Sequence, residues 1–166
     1  MFVKKIFITI ILFLFSLNVF AATPRSTGKY KNWESFVAET EKGKICFAQT
    51  VPTKRAPAAV KRDKSKLFVT FRPTEEIKDE VSLTSGHDFK TSSVTASSGK
   101  RRYSFFSQKD FAWLLDDQEE KKFIQLMKRA TDIIVKARTT KGAETTDHYS
   151  MMGFTKAYNT AKKACS

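Results

Sequence analysis

The sequence predicts a mainly β protein, an antiparallel barrel or sandwich of about eight strands that carries two short helices. Three observations predict it. Short runs rich in Val, Ile, Phe, Tyr and Thr recur along the chain. Turns containing Gly or Pro separate them, mostly at hairpin spacing. Two further segments repeat their apolar residues at the period of a helix.

Residues 1–21 read as a signal peptide. Lys4 and Lys5 give a positive start, and an apolar run extends from Ile6 to Leu17. Val19 and Ala21 then place small residues at the −3 and −1 positions of a cleavage site after Ala21. The run is shorter than the roughly 20 apolar residues of a spanning helix. No cysteine follows the cut, which argues against a lipid anchor. Export predicts a periplasmic protein, with outer-membrane association or secretion as further destinations. No second apolar stretch approaches spanning length, so no transmembrane segment is expected after cleavage. The rest of the chain suits one domain with one core.

Residues 22–30 are small and polar, with Pro24 and Gly28, and read as a flexible arm before a single β-rich domain over 31–166. Trp33, Phe36 and Ala38 mark a first strand, and Ile45–Val51 returns after a turn containing Gly43. Residues 52–66 are rich in Pro, Ala and Lys and read as a long exposed basic loop. Lys66–Arg72 is a strand whose consecutive apolar residues suggest partial burial on both faces, stopped by Pro73. Over 77–85, Ile77, Asp79, Val81 and Leu83 share one side, and Asp79 leaves the register at its start open. His87 and Asp88 follow Gly86 in a polar turn. Val94–Ser97 and Arg101–Phe106 form a hairpin about Ser98-Gly99, and Phe111–Leu115 reads as short and buried.

Asp116 and Asp117 offer an N-cap with Glu119 or Glu120 three residues on, the pattern of a capping box. Phe123, Leu126, Met127 and Ala130 make one apolar stripe, and Lys128 and Arg129 close the helix where its dipole favours cations. Asp132–Arg138 and Glu144–Met151 read as strands about a turn at Lys141-Gly142. Gly153 opens a second helix with Phe154, Ala157, Tyr158 and Ala161 on one face. The signal takes five of the 15 Phe, leaving Trp33, Trp113, Phe68, Phe71 and Phe123 as the expected aromatic core.

Two cysteines, Cys46 and Cys165, are an even count in an oxidising compartment and predict one disulfide. Neither belongs to a C-x-x-C redox motif.

The formal charge is +13, or +11 without Lys4 and Lys5. Such a balance speaks to partners rather than fold. Lys54, Arg55, Lys61, Arg62, Lys64 and Lys66 form one cluster, and Lys100, Arg101 and Arg102 a second. Together they are the candidate surface for an anionic partner. Nucleic acid is not the expected ligand. Tyr103, Phe105 and Phe106 sit beside the second cluster, but strand alternation sends some of them inward.

Catalytic patterns are weak. Asp147, His148 and Ser150 suggest a triad, yet adjacent strand residues point to opposite faces. Two distant histidines and paired cysteines do not supply the convergent ligands of a zinc site. No glycine-rich phosphate loop occurs. The expectation is therefore no catalytic residue, no metal and no cofactor.

Behind the signal come, in order, Tyr30 to Trp33, Cys46, the run Val69-Thr70-Phe71-Arg72-Pro73, Val81-Ser82 and Ala112-Trp113. The C-terminal third adds Val135-Lys136-Ala137, Thr145-Thr146-Asp147, Tyr149-Ser150, Gly153-Phe154, Ala157-Tyr158 and Cys165. Together, in this order, these pieces resemble the invasion-associated locus B family of exported bacterial proteins. The resemblance implies a small β-rich periplasmic or surface-associated protein of Gram-negative bacteria with a role in host-cell invasion. It brings no catalytic motif.

The expected function is thus non-enzymatic: binding of an anionic envelope lipid or a protein partner, in invasion or envelope maintenance. Two alternatives have distinct structural marks. A periplasmic hydrolase would gather carboxylates in a cleft. A chaperone-like helper would expose an apolar groove.

Overall fold

A computed structural model describes residues 23–166. The expected signal peptide, with its expected cleavage site after Ala21, lies outside the described residues. In chain order the elements are β1 (Arg25–Tyr30), β2 (Trp33–Thr40), β3 (Gly43–Thr50), β4 (Lys54–Ala56), β5 (Lys66–Arg72), β6 (Ile77–Thr84), β7 (Val94–Ser98), β8 (Arg101–Gln108), β9 (Phe111–Trp113), α1 (Asp117–Arg129), β10 (Asp132–Arg138), β11 (Glu144–Ser150) and α2 (Phe154–Ala164).

All eleven strands belong to one sheet, in the order β1-β2-β3-β5-β6-β9-β8-β7-β10-β11-β4. Every neighbouring pair is antiparallel. The sheet curls without closing. Trp33 Nε1 donates to the Ser150 carbonyl at 2.9 Å and the Asn32 amide to the Met152 carbonyl at 3.2 Å, which brings β2 against the end of β11.

The strand count exceeds the expected eight, and two additions correct the sequence reading. Residues 22–30, read as a flexible arm, contain β1, paired with β2 along its length. The basic loop contains β4, paired with β11 through Lys54–His148, Arg55–Asp147 and Ala56–Thr146. Both are sheet edges. An edge strand needs backbone pairing on one side and no apolar face, so its sequence can be wholly polar.

One core fills the inside of the curl. Trp33, Leu67, Val69, Val81, Leu83, Ile133 and Tyr149 line it from the strands, and α1 and α2 add Phe123, Met127 and Phe154. The α2 face is the predicted one, with Phe154, Ala157, Tyr158 and Ala161 buried. The α1 face differs: Glu120, Phe123, Ile124 and Met127 are buried, while Leu126 and Ala130 are only half-buried. Asp116 caps the helix by accepting from the Glu119 amide at 2.8 Å. Glu119 itself turns outward to Lys122, at 3.0 Å.

The open register at Asp79 resolves as a bulge. Pairing of β5 with β6 slips between Thr70 and Arg72, and Asp79 takes φ +64°. Its carboxylate then accepts from the Tyr158 hydroxyl. Phe111–Leu115 is not buried as a unit. Ala112 and Leu114 face inward, whereas Phe111 is exposed and Leu115 is 73% exposed. Alternation along a strand produces this. Phe68 and Trp113, expected in the core, stand half-buried on the outer face for the same reason.

Cys46 and Cys165 form the predicted disulfide, with a Cα–Cα distance of 5.8 Å. It pins the end of α2 to β3.

Candidate functional site

The basic loop is divided in its roles. Arg62, grouped above with the partner-facing cations, is withdrawn from solvent: its side chain is 2% exposed and that of Asp147 is 1% exposed. Arg62 forks onto both carboxylate oxygens, Nη1 to Oδ2 at 2.8 Å and Nη2 to Oδ1 at 2.6 Å. Nη1 also donates to the Ser85 carbonyl at 3.1 Å. A bidentate guanidinium satisfies the buried carboxylate and ties the loop to β11. Arg55 contributes from the flank, its Nε 3.9 Å from Asp147 Oδ1. Asp63 anchors the loop through backbone, its amide bonding the Gly86 carbonyl at 2.9 Å. Gly86 has φ +72°, and a Cβ there would meet the Asp63 carbonyl oxygen at 2.2 Å. Asp147 is therefore structural, and His148, on the opposite strand face, is only half-buried.

The other cations remain at the surface. Lys54, Arg55, Lys61 and Lys64 are exposed, as are Lys100, Arg101 and Arg102 at the β7–β8 turn. Lys66 is half-buried with its ammonium 5.9 Å from the centroid of Phe68. The sheet joins the two clusters. Lys54 pairs with His148, His148 with Ile134, Ile134 with Ser97, and Ser97 with Arg102. Directly paired residues share a face, so Lys54 and Arg102 stand in one row, about 19 Å apart over four strand spacings. Lys136 lies on that face one row away, and so, on the other side, does the acid Asp132.

A cavity of about 990 Å³ between β6 and α1 gathers Glu76, Asp79, Glu80, Asp117 and Glu120. Three of them are already engaged. Glu80 pairs with Arg72 at 2.7 Å, Asp79 accepts from Tyr158, and Glu120 Oε1 accepts from the Val81 amide at 2.8 Å. The Glu120 bond has a structural cause. The Leu114 amide reaches the Val81 carbonyl, β9 has ended, and the carboxylate satisfies the Val81 donor in place of a further strand. Burial pushes the Glu120 carboxyl up to about 7 against the lowering effect of the Val81 bond, with Glu80, Asp117 and Asp79 adding to the rise. Burial, together with the bond to Asp79, raises the Tyr158 phenol. Among the described residues no group of His, Cys, Asp and Glu converges to hold a metal ion.

The outer face of the sheet carries a feature the sequence reading missed, an aromatic ladder. Phe36 stacks on Phe47 with centroids 5.1 Å apart, and Phe47 meets Phe68 edge-on at 6.3 Å. Phe68 stacks on Phe111 at 6.5 Å, and Phe111 on Trp113 at 5.9 Å. Phe106, 51% exposed, pairs across from Trp113. A groove of about 410 Å³ runs over Phe47, Phe68, Phe111 and Trp113, with Thr70 and Ser82 in it and Arg72 and Glu80 at its side. The sequence signal was present: Phe36, Phe47 and Phe68 each stand one position out of phase with their strand's buried residues.

No helix of the described residues is long and apolar enough to cross a membrane. Comparison with protein-family models, curated proteins and solved structures finds no match to this chain.

Proposed function

We propose that this chain is an exported, non-enzymatic protein of the bacterial envelope that binds an anionic partner. Its resemblance to the invasion-associated locus B proteins suggests a role in invasion or envelope maintenance. The observation that carries the reading is the row that sets Lys54 and Arg102 on one sheet face, with Lys136 on the next row. None of the three joins an ion pair among the described residues. Unpaired cations at this spacing suit an extended anionic surface, with attraction of about 1 kcal/mol for each Lys or Arg near anionic lipid. The disulfide agrees with an oxidising compartment.

The carboxylate cavity does not favour a hydrolase, since Glu80, Asp79 and Glu120 each hold a bond that the fold needs. Co-sedimentation of the mature protein with phosphatidylglycerol vesicles and with phosphatidylcholine vesicles tests the binding reading. Capture by the anionic vesicles alone, released by salt, is expected. Equal behaviour with both lipids refutes lipid as the partner and directs the search to acidic proteins.

The aromatic groove favours a second reading, a helper that holds apolar segments of other exported proteins. Suppression of aggregation of a reduced secreted protein, lost in Phe68→Ser and Phe111→Ser, would support it. Suppression unchanged by these variants would reject the groove as the holding site.

A further inference from the structure

A second cationic feature lies away from the row. The turn joining β1 to β2 meets the start of α2 at a cavity of about 570 Å³. Lys29, Lys31 and Lys156 line it, with Tyr30, Met152 and Thr155, and no acidic residue does so. None of the three lysines joins an ion pair among the described residues. Three like charges on one small cavity repel each other. Lys156 also sits in the first turn of α2, which has no acid and no side-chain cap. A cation there opposes the helix dipole.

The backbone fixes these lysines in relation to one another. Gly153 takes φ +96°, and a Cβ on it would lie 1.8 Å from the Tyr30 carbonyl oxygen. The Asn32 amide bonds the Met152 carbonyl, and the Tyr30 hydroxyl lies 2.9 Å from Thr160 Oγ1. Lys31 holds φ +55°, the left-handed conformation of a two-residue hairpin turn, as Lys109 does between β8 and β9. A rigid junction that gathers like charges and sets one of them against the dipole breaks two local rules at one place. Such breaks concentrate at functional sites.

We infer that this cavity binds a phosphate monoester through Lys29, Lys31 and Lys156. A monoester carries about −1.5 to −2 charge at pH 7, which matches a set of ammonium groups better than a single carboxylate does. Ammonium groups act as point charges and suit a tetrahedral anion, where a planar carboxylate is better served by an arginine fork. Thr155 adds a hydroxyl. Met152, 51% exposed, and Met151 give the cavity an apolar wall, so it has room for an organic group beside the phosphate. The monoester group belongs either to a soluble metabolite or to a lipid headgroup.

The test uses inorganic phosphate, and vesicles of phosphatidylcholine doped with phosphatidic acid or with phosphatidylglycerol. Phosphate should raise the thermal midpoint above that in chloride of equal ionic strength. Lys156→Gln should fold with an unchanged or higher midpoint, because it removes a cation that opposes the dipole. Lys29→Gln, across the strand pair from Glu34, should fold with a midpoint near the parent's. Each should weaken phosphate binding about tenfold. Lys156→Arg should retain most of it. Preference for phosphatidic acid over phosphatidylglycerol, competed by phosphate and lost in the same variants, assigns a lipid headgroup. A phosphate response without that preference assigns a soluble monoester. A midpoint rise of equal size in Lys29→Gln and Lys156→Gln, or neither a phosphate effect nor a lipid preference in the parent protein, overturns the inference. Replacing Lys54, Lys136 and Arg102 should leave the phosphate response intact, which separates failure here from failure of the row.

Discussion

The two helices begin in opposite ways. At α1, Asp116 caps the first turn and Asp117 and Glu119 follow, both favourable to the dipole. At α2, a glycine with φ +96° precedes a turn with no cap bond and no acid, and Lys156 stands where an acid would stabilise. Their surroundings explain the difference. The α1 start is secured by its own sequence. The α2 helix is secured by distant parts of the chain: Tyr30 against Gly153, Trp33 against Phe154 with ring centroids 4.7 Å apart, and Cys46 bonded to Cys165 at the far end. A helix held by tertiary contacts can carry an unfavourable first turn, and that freedom permits cations at its start.

Breaking the distant ties should cost most. The disulfide closes a sequence separation of 119 residues, so Cys46→Ser and Cys165→Ser should each destabilise by about 4–5 kcal/mol in the chain-entropy model, and equally. Denaturant unfolding of the two variants and the double variant checks this, since a shared bond makes the double no worse than either single. Gly153→Ala comes next, at about 3 kcal/mol, because the new Cβ meets backbone and the αL conformation disfavours it. Its thermal midpoint should fall even though alanine is the better helix former.

The local ties of α1 should cost less, and one depends on pH. The Glu120 carboxyl titrates near 7 in the folded protein against 4.5 as a free side chain. A raised carboxyl leaves its contribution intact below about pH 4.5 and loses it as pH rises through about 7. The neutral amide of Glu120→Gln keeps an acceptor for Val81 and mimics the protonated acid. Measured against the parent protein, this variant should match it at pH 4.5 and become relatively more stable, by about 2–3 kcal/mol, at pH 8. A constant difference across that range would show that Glu120 does not titrate there. Asp116→Ala, the smallest change, should lose about 1 kcal/mol through the Glu119 amide bond.

The same division between local and distant causes decided what could be read in the sequence. Lys66–Arg72 is a strand with the predicted bounds, and the α2 face matches residue for residue, because period and flanking Pro or Gly are local signals. The cysteine pair was legible because the chain holds only two. Arg62 was not, since nothing in a Lys-rich segment distinguishes it from Lys61 or Lys64. Its partner Asp147 is 85 residues away, and the fold alone buries the pair. Both edge strands escaped because pairing, not side-chain pattern, makes them strands. The ladder escaped because large aromatics were assigned to the core by type rather than by phase. Lys29 and Lys31 fell in or beside a segment read as loose, and Lys156 looked like an ordinary exposed helix position. The one available signal was a lysine in an uncapped first turn.

Binding of the parent protein and of a Lys54→Gln, Lys136→Gln, Arg102→Gln variant to phosphatidylglycerol vesicles over a range of salt isolates what this sheet face contributes. Three cations lost from one face should weaken binding at low salt by roughly 100-fold, flatten its salt dependence and leave the thermal midpoint unchanged. Equal affinity and equal salt dependence in the two proteins would contradict the assignment of that face to an anionic partner.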